Sequence, residues 1–321
     1  MTRRNGFTVI ELLVVMSITM LLAAILLPTL AHARERARYI KWAGYSHNLR
    51  IDQDLFIYYN FEQQSGNETL SNGYKEVWNR AAGNAFQAAR EAIEAEDLYA
   101  QLGRNDPIGQ APLWEFTYTR WRGKGGLNFD GSNDLAPINW GYSQGELPAV
   151  SIGAWIWSNN DTSQQIIASW DRSENFRFSL KDNYNDNQIG WDTTDTTGTT
   201  TDMGSSVAHG TVADGQWHLV FATYDQVDGQ KNIYVDGAEL GGSSIVGSNS
   251  HTAGLSLGEG GERKKTWGYI GVGSEATSFG GNVAPTLYFD GYMDEFMLFH
   301  RALTLENTAE MYEVGEVRDQ R

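Results

Sequence analysis

The sequence predicts a mainly β protein, in which a long N-terminal α-helix is followed by an antiparallel β-sandwich or jelly roll. Two observations lead to this fold class. Apolar residues are concentrated in one block, residues 7–30. The rest of the 321-residue chain is rich in Gly, Asn, Asp, Ser, Thr and aromatic residues, a composition that is typical of short strands joined by turns.

The apolar block contains a single charged residue, Glu11. As an α-helix, a block of this length would measure about 36 Å and could cross a bilayer core of about 30 Å. A lone carboxylate in such a helix costs about 2.5–3.5 kcal/mol to insert, so Glu11 is expected to have a specific partner. Good helix formers follow the block, which predicts a helix to about Asp52, with a kink at Pro28 and a weak point near Gly44.

Two ordinary interpretations of this segment compete. A plain transmembrane anchor explains the length but leaves Glu11 unexplained. A cleaved secretory signal is supported by Arg3 and Arg4 before the block and by a small-residue site at residues 31–33. However, the block is longer than the usual apolar region of a signal, about 7–15 residues. Four basic residues follow the block, which by the positive-inside rule would favour the opposite orientation.

A third interpretation comes from a resemblance. Gly6, followed by residues 7–13, closely resembles the processing site of type IV prepilins and type II secretion pseudopilins. The resemblance implies that a prepilin peptidase removes residues 1–6, that Phe7 is then methylated, and that Glu11 pairs with the N-terminal amine of a neighbouring copy. It places Pro28 where many such pilins have a helix-kinking proline. It also implies an inner-membrane precursor that the pilus assembly machinery builds into an extracellular filament.

The remainder of the chain predicts strands, turns and two further helices. Residues 217–224 are apolar at nearly every position, as in a strand buried on both faces, and residues 231–237 end in the hairpin signal Asp-Gly. Residues 85–102 predict an inserted helix, and residues 304–315 predict a short one that Thr304 caps and Gly315 ends. The Thr-rich residues 192–202 predict a flexible loop, with O-glycosylation as the alternative.

A second resemblance covers residues 55–315. Successive blocks are similar, in order, to those of a laminin G-like domain, which implies a concanavalin A-like jelly roll of two curved antiparallel sheets. The inserted helix departs from that family. The expected domains are therefore a leader, residues 1–6; a helix, residues 7–53; a sandwich, residues 54–316; and a tail, residues 317–321. The blocks that carry the resemblance are residues 58–62, 129–134, 150–156, 214–225, 233–237, 269–273, 289–296 and 299–304.

The same features exclude several function classes. The net charge of −16 argues against nucleic-acid binding, because phosphate backbones repel such a surface. Glycan hydrolysis needs two carboxylates on one face, and no strand offers them at alternate positions. Asp294 and Glu295 are adjacent, so they are expected on opposite faces of their strand. The sequence therefore predicts a protein without enzymatic activity.

Calcium and glycans are the candidate ligands. The laminin G-like resemblance implies oxygen ligands at a sheet edge, with Asp294 as the side chain and with Glu62 and Asn84 nearby. Calcium takes 6–8 oxygens, and the alternative is that Asp294 only hydrogen-bonds a turn. Aromatic side chains stack on sugars when they are exposed, although such residues more often lie in a core. The candidates for that role are Trp140, Tyr142 and Trp191.

Three functions follow from these expectations. The first is a structural subunit of a type IV pilus-like filament, with the helix as its core and the sandwich as its surface. The second is a low-abundance minor or tip pilin whose sandwich binds glycans or surface proteins. The third is a type II secretion pseudopilin. All three need copies or relatives of this chain as partners, and none needs nucleic acid.

Overall fold

The structure is a computed structural model that contains two helices and 18 strands within the residues it describes. The described residues are 8–62, 76–81, 100–103, 110–121, 124–141, 146–170, 176–182, 185–205, 212–240, 245–248, 250–256, 267–274, 276 and 285–316. The helices are α1 (Val9–Leu49) and α2 (Leu305–Gly315). The strands are β1 (Leu55–Tyr59), β2 (Glu76–Val77), β3 (Ala100–Gln101), β4 (Leu113–Glu115), β5 (Gly126–Asp130), β6 (Ala136–Gly141), β7 (Ala149–Trp157), β8 (Gln165–Ser169), β9 (Phe176–Asp182), β10 (Asn185–Asp195), β11 (Thr200–Ser205), β12 (Trp217–Asp225), β13 (Gln230–Val235), β14 (Ala238–Leu240), β15 (Ile245–Gly247), β16 (Leu255–Ser256), β17 (Trp267–Ile270) and β18 (Asp290–Phe299).

The strands form two antiparallel sheets that pack face to face. The first sheet has the order β14-β13-β12-β7-β18-β5-β4, and β1 pairs with the second half of β18. The second sheet has the order β15-β11-β10-β9-β8-β17-β6-β3-β2, and β16 pairs with β10. A continuous apolar core fills the space between them. This architecture confirms the predicted β-sandwich with a long N-terminal helix.

The first sheet is buried on both faces, as the unbroken apolar run of β12 predicted. Its inner face contributes Val220 and Ala222 to the core between the sheets. Its outer face contributes Leu219 and Phe221 to a second apolar cluster, which also contains Leu49 from α1 and side chains from α2. The end of α1 and the whole of α2 therefore cover the outside of this sheet.

Helix α1 begins and ends close to where the sequence predicts. Thr8 caps it, and the helix continues through Pro28 and through Gly44 to Leu49. The expected weak point at Gly44 is absent. The reason is that Trp42 and Ser46, on either side of Gly44, are buried against the sandwich and hold the backbone in place.

Two other local expectations are confirmed. Helix α2 begins after Thr304, whose side chain accepts a hydrogen bond from the backbone N–H of Asn307, and it ends at Gly315. Strands β13 and β14 are joined by Asp236 and Gly237, both with positive φ (54° and 72°), as a tight hairpin turn requires.

Two expectations differ from the structure. Residues 100 and 101, at the end of the predicted inserted helix, form strand β3, and residues 82–99 lie outside the described residues. The Thr-rich residues 192–202 form most of a hairpin, in which only residues 196–199 lie between the strands. Thr193 and Thr194 are buried there, because β-branched side chains pack well on a sheet.

Candidate functional site

Helix α1 consists of two halves with opposite surroundings. Every described residue of the free half, residues 9–37, is exposed, whereas the anchored half, residues 38–49, packs on the sandwich. Helix α1 is long and apolar enough to cross a membrane. An apolar surface of this extent marks a membrane or protein interaction site. The large apolar side chains of the free half are 45–74% exposed: Val9, Ile10, Leu12, Leu13, Val14, Val15, Met16, Ile18, Met20, Leu21, Leu22, Ile25, Leu26, Leu27 and Leu30.

Glu11 lies at the start of the free half. Its carboxylate accepts hydrogen bonds from the backbone N–H of Thr8 (2.9 Å) and from the Thr8 hydroxyl (2.7 Å). Glu11 and Thr8 thus form a capping box that satisfies backbone donors at the beginning of α1. The predicted processing residues, Gly6 and Phe7, lie outside the described residues.

The anchored half is attached through hydrogen bonds to Glu295. The indole N–H of Trp42 donates to Glu295 Oε1 over 2.8 Å. The Tyr58 hydroxyl donates to the same oxygen and lies 2.9 Å from the hydroxyl of Ser46. One carboxylate from strand β18 therefore connects α1 to strand β1.

Glu295 belongs to a group of buried charges that we call the junction cluster: Glu62, Arg120, Lys124, Asp294 and Glu295. Arg120 Nε lies 2.6 Å from Asp294 Oδ2, and Arg120 Nη2 contacts Glu295 Oε2. Lys124 Nζ lies 2.8 Å from Asp294 Oδ1 and 3.2 Å from Glu62 Oε1. Both cationic side chains are fully buried. The charges are thus paired where α1 meets the sandwich.

A β-bulge brings the two adjacent carboxylates to one arginine. The pairing of β18 with β7 shifts register between Asp294 and Met297, and Glu295 has a φ of 52°. The prediction that Asp294 and Glu295 face opposite sides is therefore wrong. An extra residue in a strand interrupts the two-residue alternation, and strict alternation was the only basis for that prediction.

The ionisation of the cluster is set by burial and by its cations. Burial raises the pKa of Asp294, although Arg120 and Lys124 oppose the change. Burial would also raise the pKa of Glu295, but attraction to the same two cations outweighs it and lowers that pKa. Burial beside Glu295 raises the pKa of Tyr58 well above its ordinary value, so the phenol remains a donor.

Aromatic rings enclose the cationic side chains of the cluster. The Arg120 guanidinium lies 4.5 Å from the ring centre of Trp121 and 4.4 Å from that of Trp155. Lys124 Nζ lies 4.2 Å from the ring centre of Trp42, a residue of the helix itself. Such contacts are worth about 2 kcal/mol or more when the cation is desolvated. The helix is therefore attached through both charge and ring contacts.

The structure gives Asp294 a role different from the predicted calcium ligand. Both of its carboxylate oxygens contact cationic side chains, so a calcium ion there would adjoin Arg120 and Lys124. Glu62 contacts Lys124 as well, and Asn84 lies outside the described residues. Within the described part of the chain, no group of three or more His, Asp or Glu residues is placed to hold a metal ion. Calcium binding by the protein stays a prediction.

Two of the three predicted sugar-stacking aromatics are buried, Trp140 and Trp191. Trp140 is 2% exposed and Trp191 is 0% exposed, and both belong to the core between the sheets. The sequence did not reveal this, because period-two patterning does not distinguish a buried tryptophan from an exposed one. Tyr142 lies outside the described residues.

Comparison with known families supports this two-part organisation. A laminin G model of the concanavalin A-like lectin/glucanases superfamily matches residues 130–308, more than half of the chain. The chain belongs to this superfamily. The prokaryotic N-terminal methylation motif, the motif of type IV pilins, matches residues 1–27. Three residues of the junction cluster lie outside the range that matches the lectin/glucanases superfamily: Glu62, Arg120 and Lys124. Asp294 and Glu295 lie within it.

Some solved structures are similar to this chain at low identity. The botulinum neurotoxin serotype D binding domain is 11% identical, with a TM-score of 0.47 over 82% of this chain and 52% of that chain. The binding domain of botulinum neurotoxin DC, solved in complex with rat synaptotagmin II, is 11% identical, with a TM-score of 0.48 over 83% and 53%. The chain thus spans about half the length of these structures. A comparison with curated proteins gives no match.

The methylation motif and the exposed apolar helix together fit a membrane-anchored precursor that becomes part of a surface pilus. The motif also implies processing by a peptidase and assembly by the pilus machinery. The lectin-like sandwich is then the part of the subunit that remains outside the membrane.

Proposed function

We propose that this protein is a structural subunit of an extracellular type IV pilus-like filament. The free half of α1 forms the filament core with copies of itself, and the lectin-like sandwich forms the exposed surface. One observation supports this most directly: a long apolar half-helix whose described residues are all exposed is joined to a half-helix that Trp42 attaches to the buried Glu295 and Lys124. The anchored half fixes where the sandwich lies relative to the filament core.

Glu11 has one role in the isolated subunit and a second, proposed role in the filament. In the isolated subunit it caps the helix through Thr8. In a filament it would neutralise the N-terminal amine of a neighbouring copy, which compensates a carboxylate that is costly in an apolar environment. The first role needs only a hydrogen-bond acceptor, whereas the second needs a negative charge.

Glu11→Gln distinguishes these roles, because glutamine at this position still completes a capping box but has no charge. We expect Glu11→Gln to abolish surface filaments while the precursor remains in the membrane at normal level. The measurement is the amount of the subunit in sheared filament fractions against that in membranes. Thr8→Ala is the matched control, because it removes the cap and leaves the charge. Normal filaments from Glu11→Gln cells would rule out the charge-pairing role.

A minor or tip pilin is the second candidate, and membership of the lectin/glucanases superfamily favours it. A tip adhesin would bind glycans or surface proteins and occur in few copies, whereas a major subunit occurs in thousands per filament. Counting copies in purified filaments separates the two. A type II secretion pseudopilin shares the helix motif, and the absence of surface filaments containing this chain would favour it.

We further propose that the protein acts without catalysis. Asp294 and Glu295, two carboxylates that converge within the described residues, are buried and paired with Arg120 and Lys124. Hydrolysis of a glycosidic bond needs a protonated acid on one side of the bond and a free carboxylate on the other. Neither residue is accessible for that role.

A further inference from the structure

A pocket of about 290 Å³ lies between the anchored half of α1 and the edge of the sandwich. A role for this pocket would go beyond the filament function, because no assembly step proposed above uses the pocket. It also lies entirely outside the range that matches the lectin/glucanases superfamily. Its lining residues are Tyr39, Trp42, Ala43, Ser46, Arg50, Asn60, Glu62 and Arg80.

The pocket contains hydrogen-bond donors that have no acceptor. Asn60 is 2% exposed; its Oδ1 accepts from the backbone N–H of Glu62 over 3.1 Å, while its Nδ2 has no partner. The Nε of Arg50 is buried and also has no partner. Buried polar groups nearly always have partners, and a donor without one is costly. Two donors of this kind in one pocket indicate an acceptor that enters from outside.

The charges of the lining favour an anion. Among the described lining residues, Arg50 and Arg80 contribute two guanidinium groups, against one carboxylate from Glu62. That carboxylate is already occupied: Glu62 Oε1 accepts from the backbone N–H of Gly125 over 2.7 Å and lies 3.2 Å from Lys124 Nζ. The described lining therefore carries net positive charge beside the two unpartnered donors.

We propose that this pocket binds a small carboxylate-bearing molecule, with a size limit of about one sugar-acid ring. A carboxylate offers planar paired oxygens, which suit a guanidinium fork and the amide of Asn60. The volume, about 290 Å³, lies just below the range for ligand pockets, about 300–1,000 Å³, which suits a small molecule. The rings of Tyr39 and Trp42 supply an apolar wall against which a compact ring or short chain would lie.

Equilibrium dialysis of the detergent-solubilised full chain tests the proposal with three probes. D-glucuronate carries the carboxylate on a six-membered ring, D-glucose has the same ring without the charge, and inorganic phosphate carries charge without the planar carboxylate. We expect glucuronate to bind and the other two to bind at least about tenfold more weakly, because the charge-assisted fork contact is absent or misfitted. Equal binding of glucose or of phosphate would overturn the assignment to a carboxylate.

Two variants locate the binding in this pocket. Arg50→Gln removes the guanidinium of a partly exposed residue and should weaken glucuronate binding by about tenfold or more. Asn60→Asp replaces the donor by a carboxylate of the same shape and should have a similar effect. Arg34→Gln, on an exposed position of the same helix, is the control and should bind as the parent does. Unchanged binding in Arg50→Gln would overturn the site, whatever the outcome for Asn60→Asp.

The subunits in this experiment are unassembled, so its result does not depend on the filament. Failure of Glu11→Gln to alter assembly would leave the dialysis result standing. Absence of glucuronate binding would in turn leave the filament proposal unaffected. The two proposals therefore fail separately.

Discussion

The sandwich buries cationic side chains in two regions and gives them different partners. In the junction cluster, Arg120 and Lys124 contact Asp294, and Arg120 also contacts Glu295, which accepts a hydrogen bond from Trp42 of α1. In the second region, Lys231 Nζ donates to the backbone carbonyls of Trp191 and Thr201, each over 2.9 Å. The contrast is between cations paired with carboxylates where the helix is attached and an interior cation, Lys231, that donates to backbone carbonyls.

The largest expected effect comes from breaking the charge pairing at the junction. Arg120→Met leaves Asp294 and Glu295 buried without their shared cation, and breaking one side of a buried pair costs about 3–5 kcal/mol. We expect this loss in urea unfolding of the solubilised full chain at pH 7, followed by tryptophan fluorescence. The loss should be smaller at pH 5, because the orphaned carboxylates can then be protonated more easily.

Arg301→Met is the control for this variant. Arg301 also joins the end of α1 to the sandwich, through Asp52 at 2.8 Å, but it is partly exposed. Exposed ion pairs contribute about 0.2–1 kcal/mol, so this variant should lose little. Equal losses from Arg120→Met and Arg301→Met would mean that the junction cluster is no more important than a surface pair.

A smaller effect is expected from removing the hydrogen bond between α1 and the junction cluster while the ion pairs of the cluster stay intact. Trp42→Phe keeps most of the ring but removes the N–H that donates to Glu295. A hydrogen bond to a charged group is worth about 1.5–3 kcal/mol. We expect that loss in the free energy of unfolding, together with faster amide hydrogen exchange in residues 42–49.

Trp121→Phe is the matched control, because the Trp121 indole N–H is buried without a hydrogen-bond partner and its ring lies 5.8 Å from that of Trp42. The loss of unfolding free energy in Trp121→Phe shows how much the reduced ring area alone destabilises the protein. If Trp42→Phe and Trp121→Phe destabilise equally, the contact with Glu295 does not hold the helix.

Much of the fold follows from local sequence patterns. The apolar block predicts α1, the continuous apolar run of β12 predicts a sheet covered on both faces, and Thr304 with Gly315 predicts the bounds of α2. Each of these signals lies within a few residues of the structure that it predicts. The hairpin at Asp236 is of the same kind.

The junction cluster could not be predicted in this way. Arg120 is 174 residues from its partner Asp294 in the sequence, and the bulge at Glu295 has no marker glycine. The continuity of α1 at Gly44 likewise depends on distant partners of Trp42. Two adjacent carboxylates within an apolar strand are the one local signal that could have indicated a buried ion pair, because a charge is rarely buried without a partner.

The smallest expected effect concerns Lys231, the interior cation. Burial lowers the pKa of Lys231 to about 7, although Asp192 and Asp202 oppose the change. An unfolded lysine has a pKa of about 10.4, so between these values the unfolded state binds more protons and stability rises with pH. From pH 7 to pH 8 this contribution amounts to about 1 kcal/mol.

The measurement is the difference between the parent and Lys231→Met in urea unfolding at pH 7, 8 and 9. Lys231→Met removes the titrating group and fills its place with a side chain of similar length, so we expect the parent to gain stability relative to the variant as the pH rises. His218 has a raised pKa through Asp236 and Asp214, despite its burial, and its contribution is lost as pH rises through that value. Both proteins contain His218, so the difference cancels it. A difference that does not change with pH would mean that Lys231 stays charged in the folded protein, which would contradict the lowered pKa.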